Sequence, residues 1–285
     1  MIREISNDIK AAFQNNRNGV TRLLIVHIAA FAVIGTGNVI GWAVSGPGVN
    51  PFVMEYFSLS SGLMGLAYHP WTLLSYSLVH LDLFHIIFNL LGLYWFGQIL
   101  QDFLGPKKIL GFYLFGALSG GLLFLLVYNL LSIPVTASLI GASGAVYAII
   151  CATAFLVPNY TIHLVLFGPV KLKYVALGFV LISFLQIPMG NPGGNIAHLG
   201  GALGGILYLK YLQGMLRLKL SGSRFPPAKV KGRVVQMETR KKSEMPPQQE
   251  LDLLLDKISE KGIQSLSKEE RNRLEYLSKI NHSHE

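Results

Sequence analysis

Six apolar runs, at residues 23–44, 83–100, 109–131, 143–157, 172–187 and 197–216, constrain this chain more than any other feature. Roughly 17–25 apolar residues carry a helix across a bilayer, so the pattern predicts an all-α membrane protein, a six-helix bundle. The fourth and fifth runs are short. A short helix that begins at a glycine-rich turn leaves a water-accessible cavity above its N-terminus. Irregular backbone at that depth is tolerated only where protein buries it or where it lines such a cavity.

Charge separates the chain into zones. Only 14% of residues are charged, against roughly 25% in soluble chains. Lys and Arg cluster before residue 23 and from Arg217 onward, and between them lie only Lys107, Lys108, Lys171, Lys173 and Lys210. The domains expected are a cytoplasmic N-terminal segment 1–21, a six-span domain 22–216, a basic Pro-containing linker 217–249 and a helical hairpin 250–285. The net charge of +9 sits on the flanks, where anionic lipid is the simpler partner and nucleic acid is not expected. Segment 217–242 is the expected lipid contact.

Orientation follows the basic residues. The loops at 45–70, 129–140 and 186–196 lack Lys and Arg, whereas Lys107-Lys108 and Lys171/Lys173 mark the alternate loops. Both termini are then cytoplasmic, and residue 143 lies near the extracytoplasmic side. The first run is an anchor rather than a cleaved signal, because it exceeds the roughly 7–15 apolar residues of a signal core. The first loop carries Phe52, Tyr56, Phe57, Tyr68 and Trp71, which suits either the headgroup region or ordinary packing. Cys151, the single cysteine, reads as a small apolar filler.

The tail repeats the logic of soluble helices. Leu251, Leu254, Leu255 and Ile258 share one face, Gly262 ends that helix, and Ser267 with Glu270 forms a capping box. Leu274 and Leu277 supply the next stripe. A hairpin this small needs a partner, which the sequence does not name.

Polar residues within apolar runs carry the chemical information, because burying them costs free energy unless they are paired. Ser143, in Gly141-Ala142-Ser143-Gly144, opens the fourth run. His85 and Asn89 are one helical turn apart and share a face of the second. His80, about 140° round at 3.6 residues per turn, serves another purpose, such as fixing the first loop. In the sixth run His198, Gly201 and Gly205 form a stripe of imidazole and small residues. Gly144 and Ala148 give the fourth run a matching small face, and if the two faces meet, His198 arrives beside Ser143. A serine hydroxyl needs a base to become a nucleophile, and the oxyanion that follows needs donors. His198 is the candidate base, His85, Asn89 and the Ser143 N–H are candidate donors, and Tyr147 could hold the imidazole by stacking. No carboxylate is placed to orient His198, which implies a dyad. Interhelical hydrogen bonding is the plainer role for His85 and Asn89. With no HExxH and no carboxylate pair, no metal site is expected.

The combination His80-x4-His85-x3-Asn89, Gly141-Ala142-Ser143-Gly144 and Ala197-His198-x2-Gly201-x3-Gly205 resembles the rhomboid family of intramembrane serine proteases. The resemblance spans roughly residues 22–216 and implies Ser143 as nucleophile and His198 as its base. It also implies His85 and Asn89 in the oxyanion hole, Tyr147 stacked on the base and His80 as structural. It implies no metal or nucleotide cofactor. The substrates it implies are membrane-anchored proteins whose transmembrane helix unwinds near the outer face, cut often after a small residue. A bacterial type is suggested, in the inner membrane, with the tail resembling C-terminal appendages of some members. One departure stands out: many rhomboids have Trp-Arg in the first loop, and here Thr72 follows Trp71. A non-catalytic binder and a transporter with a broken fourth helix are the alternatives, and the transporter would predict internal repeats that the sequence lacks.

Overall fold

The computed structural model describes residues 13, 18–46, 48–49, 51–131, 133, 136–164, 168–215, 247–267, 270–274 and 277. Contacts divide the chain into two units, 1–232 and 233–285. The expected linker and its lipid contact fall almost wholly on residues outside those described.

In the first unit, α1 (Gly19–Ser45) starts where Asn18 Oδ1 accepts the Thr21 N–H at 3.0 Å. Later in the chain, Gln101 Oε1 accepts the Gly19 N–H at 2.7 Å. These side chains satisfy orphan donors that the first turn of any helix leaves. The first loop folds into three short helices, α2 (Pro51–Phe57), α3 (Leu63–Tyr68) and α4 (Thr72–Ser75), followed by a 3₁₀ turn at Tyr76–Leu78. Trp71 Nε1 donates to Tyr56 O at 2.7 Å, and the His69 ring packs against both Tyr56 and Trp71. Thr72 is buried and donates to His69 O at 2.6 Å. The loop is therefore fastened by its own aromatic residues and by Thr72.

Helix α5 (Leu83–Leu104) follows, and Gly105-Pro106 turns the chain directly into α6 (Pro106–Leu130). Gly105 has φ +85° and Pro106 occupies a first-turn position, where its missing N–H costs nothing. Helix α7 (Ser143–Leu156) is central: Gly144 through Ala154 are all buried. Helices α8 (Leu172–Leu185) and α9 (Pro192–Leu212) complete the bundle. The most extensive packing is of α9 against α6 and α7. The observed helices match the expected runs closely, but the last begins at Pro192, five residues before Ala197, because Asn191 Oδ1 caps the Gly194 N–H.

Two short antiparallel pairings supplement the bundle. In one, β1 (Leu59–Ser60) pairs with β2 (Ser138–Leu139), and Ser61 N donates to Ala137 O at 2.9 Å. This ties the first loop to the segment leading into α7. In the other, β3 (Thr161–Leu164) and β4 (Gly168–Lys171) form a hairpin ahead of α8.

Among the described residues, α1, α5 and α6 are long and apolar enough to cross a membrane. Helices α7 and α8 have 14 residues each, about 21 Å at 1.5 Å per residue, short of a hydrocarbon core of about 30 Å. Many large apolar side chains are exposed, among them Val33, Phe84, Phe88 and Leu130, as expected of helices solvated by lipid.

The second unit contains α10 (Pro247–Lys261), a 3₁₀ turn at Ile263–Ser265 and a helical segment at 270–274. Leu254, Leu266 and Leu277 form its core with Leu251, Ile258 and Leu274 around them, while Leu255 stays exposed. Gly262 (φ +72°) ends α10. The reciprocal cap forms, with Ser267 N to Glu270 Oε2 at 2.7 Å and Glu270 N to Ser267 Oγ at 3.2 Å.

Candidate active site

Ser143 is the first residue of α7, and the two residues before it are held by the segment that precedes α5. The Gly141 N–H donates to Tyr76 O at 2.9 Å and the Ala142 N–H to His80 Nε2 at 3.2 Å. His80 Nδ1 faces Leu78 O at 3.4 Å. A carbonyl only accepts, so the proton belongs on Nδ1 and Nε2 is free to receive Ala142. Gly141 has φ +104°, and a Cβ there would lie 2.5 Å from His85 Cε1. Glycine is required at 141 on both counts.

His80 lies before the helix, not on it. Asp82 Oδ1 accepts the His85 N–H at 2.7 Å and starts α5 at Leu83, so the helical angle expected between His80 and His85 does not apply. The two rings instead meet edge to face, with centroids 5.0 Å apart. Asn89, buried one turn beyond His85, donates through Nδ2 to His85 O at 2.8 Å. An amide carries two N–H groups, so one remains.

The small faces of α7 and α9 do meet. A Cβ on Gly201 would lie 1.9 Å from Gly144 O, one on Gly205 2.1 Å from Ala148 O, and one on Gly144 3.3 Å from Ala197 O. That approach sets His198 Nε2 2.7 Å from Ser143 Oγ. The Tyr147 ring stacks on the imidazole at 4.2 Å and 10°.

Ser143, His198, His85 and Asn89 line a cavity of about 800 Å³. Its walls are mostly apolar and include Phe88, Trp95, Val146, Ile150 and Phe179. A hydroxyl at hydrogen-bond distance from an imidazole, facing such a cavity, is equipped for nucleophilic attack with base assistance. The first intrahelical bond of α7 runs from the Val146 N–H to Ala142 O at 3.0 Å, so the N–H groups of Ser143, Gly144 and Ala145 before it have no intrahelical partner and are available donors. Among the described residues, no group of three or more His, Cys, Asp or Glu could hold a metal ion.

Two further buried polar residues adjoin the site without belonging to any of the motifs. Ser183 of α8 is fully buried, with Oγ 3.0 Å from His198 Nδ1 and donating to Tyr147 Oη at 2.8 Å. A serine inside an apolar run was its only signal. His27 of α1 is buried with Nε2 2.8 Å from Tyr113 Oη, its ring 5.9 Å from that of His80. A lone histidine in the first apolar run was the signal there.

The chain is 32% identical over 167 residues to RHOMBOID-like protein 12, mitochondrial, of Arabidopsis thaliana, covering 54% of this chain and 48% of that one. It is 30% identical over 210 residues to Rhomboid-like protein 17, chloroplastic, of the same plant, covering 68% and 59%. To Rhomboid protease GlpG of Haemophilus influenzae it is 28% identical over 170 residues, covering 55% and 82%. The chain thus spans about half to three fifths of the length of the two plant relatives. The family match and the long apolar helices support a membrane location, whereas relatives named mitochondrial and chloroplastic leave the expected bacterial inner membrane unsupported. In the tail, residues 240–280 match a family of unknown function (DUF6576). The Rhomboid domain matches residues 67–214, over half of the chain and all of α5 through α9, and on that match this chain belongs to the rhomboid family.

Proposed function

We propose that this protein is an intramembrane serine endopeptidase that cleaves transmembrane segments of membrane-anchored proteins. The observation that carries the reading is the 2.7 Å approach of His198 Nε2 to Ser143 Oγ at the edge of an apolar cavity. A relative named a protease supports it. In this mechanism His198 takes the proton from Ser143 as Oγ attacks the scissile carbonyl. The tetrahedral oxyanion is met by the Ser143 N–H, the remaining Asn89 N–H and the His85 ring. His198 then protonates the leaving amine, and water admitted to the cavity hydrolyses the acyl-enzyme by the same route in reverse.

Tyr147 holds the imidazole by stacking, and His80 holds the loop that carries Ser143. Gly141, Gly144, Gly201 and Gly205 supply the turn and the close helix approach. The apolar runs cross the bilayer six times with both termini cytoplasmic, so cleavage occurs near the extracytoplasmic face. The basic segment 217–242 lies against the cytoplasmic leaflet.

Purified protein in detergent, treated with a fluorophosphonate probe, tests the reading. Wild type should label, while Ser143→Ala and His198→Ala should not. A model transmembrane substrate in proteoliposomes should be cut by wild type alone. Cleavage by Ser143→Ala at the wild-type rate would refute the assignment.

A further inference from the structure

His198 has two ring nitrogens, and a base facing Ser143 through Nε2 must carry its proton on Nδ1. In a triad a carboxylate enforces that tautomer. Here Nδ1 faces Ser183 Oγ at 3.0 Å instead. A hydroxyl both donates and accepts, so Ser183 alone leaves the tautomer open. What it is bonded to decides.

Ser183 Oγ lies 2.8 Å from Tyr147 Oη, and Tyr147 Oη lies 3.4 Å from the carbonyl oxygen of Phe179. That carbonyl can only accept, so Tyr147 donates to it. Tyr147 Oη is then the acceptor for the Ser183 hydroxyl proton, and Ser183 Oγ accepts from His198 Nδ1–H. Nε2 is left bare toward the Ser143 hydroxyl. In this direction the four contacts from Ser143 to Phe179 are all hydrogen bonds. In the opposite direction Ser183 donates to Nδ1, Tyr147 must turn to Ser183, and the bond to Phe179 is lost. The forward direction makes one more bond, in a place where Ser183 is 1% exposed and water cannot substitute.

We infer that Ser183 is a positioning residue, and that Ser183, Tyr147 and the Phe179 carbonyl form a neutral relay that fixes His198 in the Nδ1–H tautomer, in place of the carboxylate of a triad. The inference rests on the serine protease reading above. Tyr147 has two separable functions within it: its ring face supports the imidazole, and its hydroxyl sets the direction of the relay. Both Ser183 and Phe179 belong to α8, which packs on α7 and α9. A shift of α8 away from α9 would therefore remove the acceptor from Nδ1.

The test uses the full chain in bilayers with nitrogen-15 histidine, His198 being assigned by loss of its signals in His198→Ala. Wild type should show His198 protonated on Nδ1. Ser183→Ala should give a mixture of tautomers and lower kcat with KM unchanged, on the order of tenfold to a hundredfold. That is short of the ~10⁴ suffered by a triad whose carboxylate becomes an amide. Tyr147→Phe keeps the stacked ring and should still lower kcat, because Ser183 then donates to Nδ1 and favours the wrong tautomer. The double variant Ser183→Ala/Tyr147→Phe should be no slower than the worse single variant. Ser183→Thr, which restores the hydroxyl, should recover the rate and the tautomer.

Wild-type kcat and an unchanged His198 tautomer in Tyr147→Phe or in folded Ser183→Ala would overturn the relay. If those variants are silent while Ser143→Ala is dead, the relay alone fails. If Ser143→Ala still cleaves, the protease reading fails first.

Discussion

Gly201 of α9 approaches Gly144 of α7 so closely that a Cβ on Gly201 would lie 1.9 Å from the Gly144 carbonyl oxygen. The obstructing atom is backbone, so no rotamer change relieves the clash. This contact sets the distance between the helix that carries Ser143 and the helix that carries His198.

Gly201→Ala is therefore expected to force the two helices apart. Overpacking of this kind costs about 1–3 kcal/mol or more, and the Oγ–Nε2 hydrogen bond should lengthen with it. The thermal midpoint in detergent should fall and fluorophosphonate labelling should drop in parallel. A midpoint and labelling rate equal to wild type would show that the bundle accommodates the methyl group.

Asn89→Ala tests the proposed oxyanion donor apart from the proposed dyad. It removes the second amide N–H of a residue that lines the cavity while leaving Ser143 and His198 in place. Loss of one oxyanion donor costs about 10²–10³ in kcat, so cleavage of a model transmembrane substrate should slow without vanishing. Undiminished kcat would remove Asn89 from the mechanism.

His80→Phe keeps a ring in the same space but takes away the acceptor of the Ala142 N–H, 3.2 Å from Nε2. A buried donor left unpaired costs about 1–3 kcal/mol. The loop holding Ser143 should loosen, so both the unfolding midpoint and the labelling rate should fall. Equal values in wild type and variant would mean that His80 does not hold the loop.

In the tail, a hydrogen bond from Lys257, 2.6 Å away, and the Ser267 N–H hold the Glu270 carboxyl below the usual glutamate range. A carboxyl with a depressed folded-state pKa stabilises the fold above its unfolded pKa, and that contribution fades as pH falls through the folded value. The protection factors of the Ser267 and Glu270 amides, taken against their intrinsic exchange at each pH, should fall on acidification below the glutamate range. Glu270→Gln should show low protection across the same window. Identical pH profiles for the two would mean that the cap does not depend on the charge.

Local features are legible in the amino-acid sequence alone. The capping box at Ser267 and Glu270 involves residues three apart, and the cap geometry depends only on the first turn. His85 and Asn89 share a face for the same reason: 3.6 residues per turn is a property of the helix alone. The long apolar runs likewise mark α1, α5 and α6, because their length and composition suffice to cross a bilayer. His80 misleads for the converse reason. Proximity in sequence places it on the helix, whereas Asp82 ends the preceding segment and starts α5 after it.

The helix periods, the caps, the order of the apolar runs and the glycine faces on α7 and α9 are all written in the amino-acid order. Those are short-range quantities, written in spacings of a few residues. Tertiary packing alone puts Ser183, 15 residues from His198 in sequence, behind its imidazole and brings Tyr147 to both. The rotation of α8 about its own axis chooses which polar group points inward. Packing against α7 and α9 sets that rotation, and no local spacing encodes it. A serine in an apolar helix reads the same on either face until its neighbours are known.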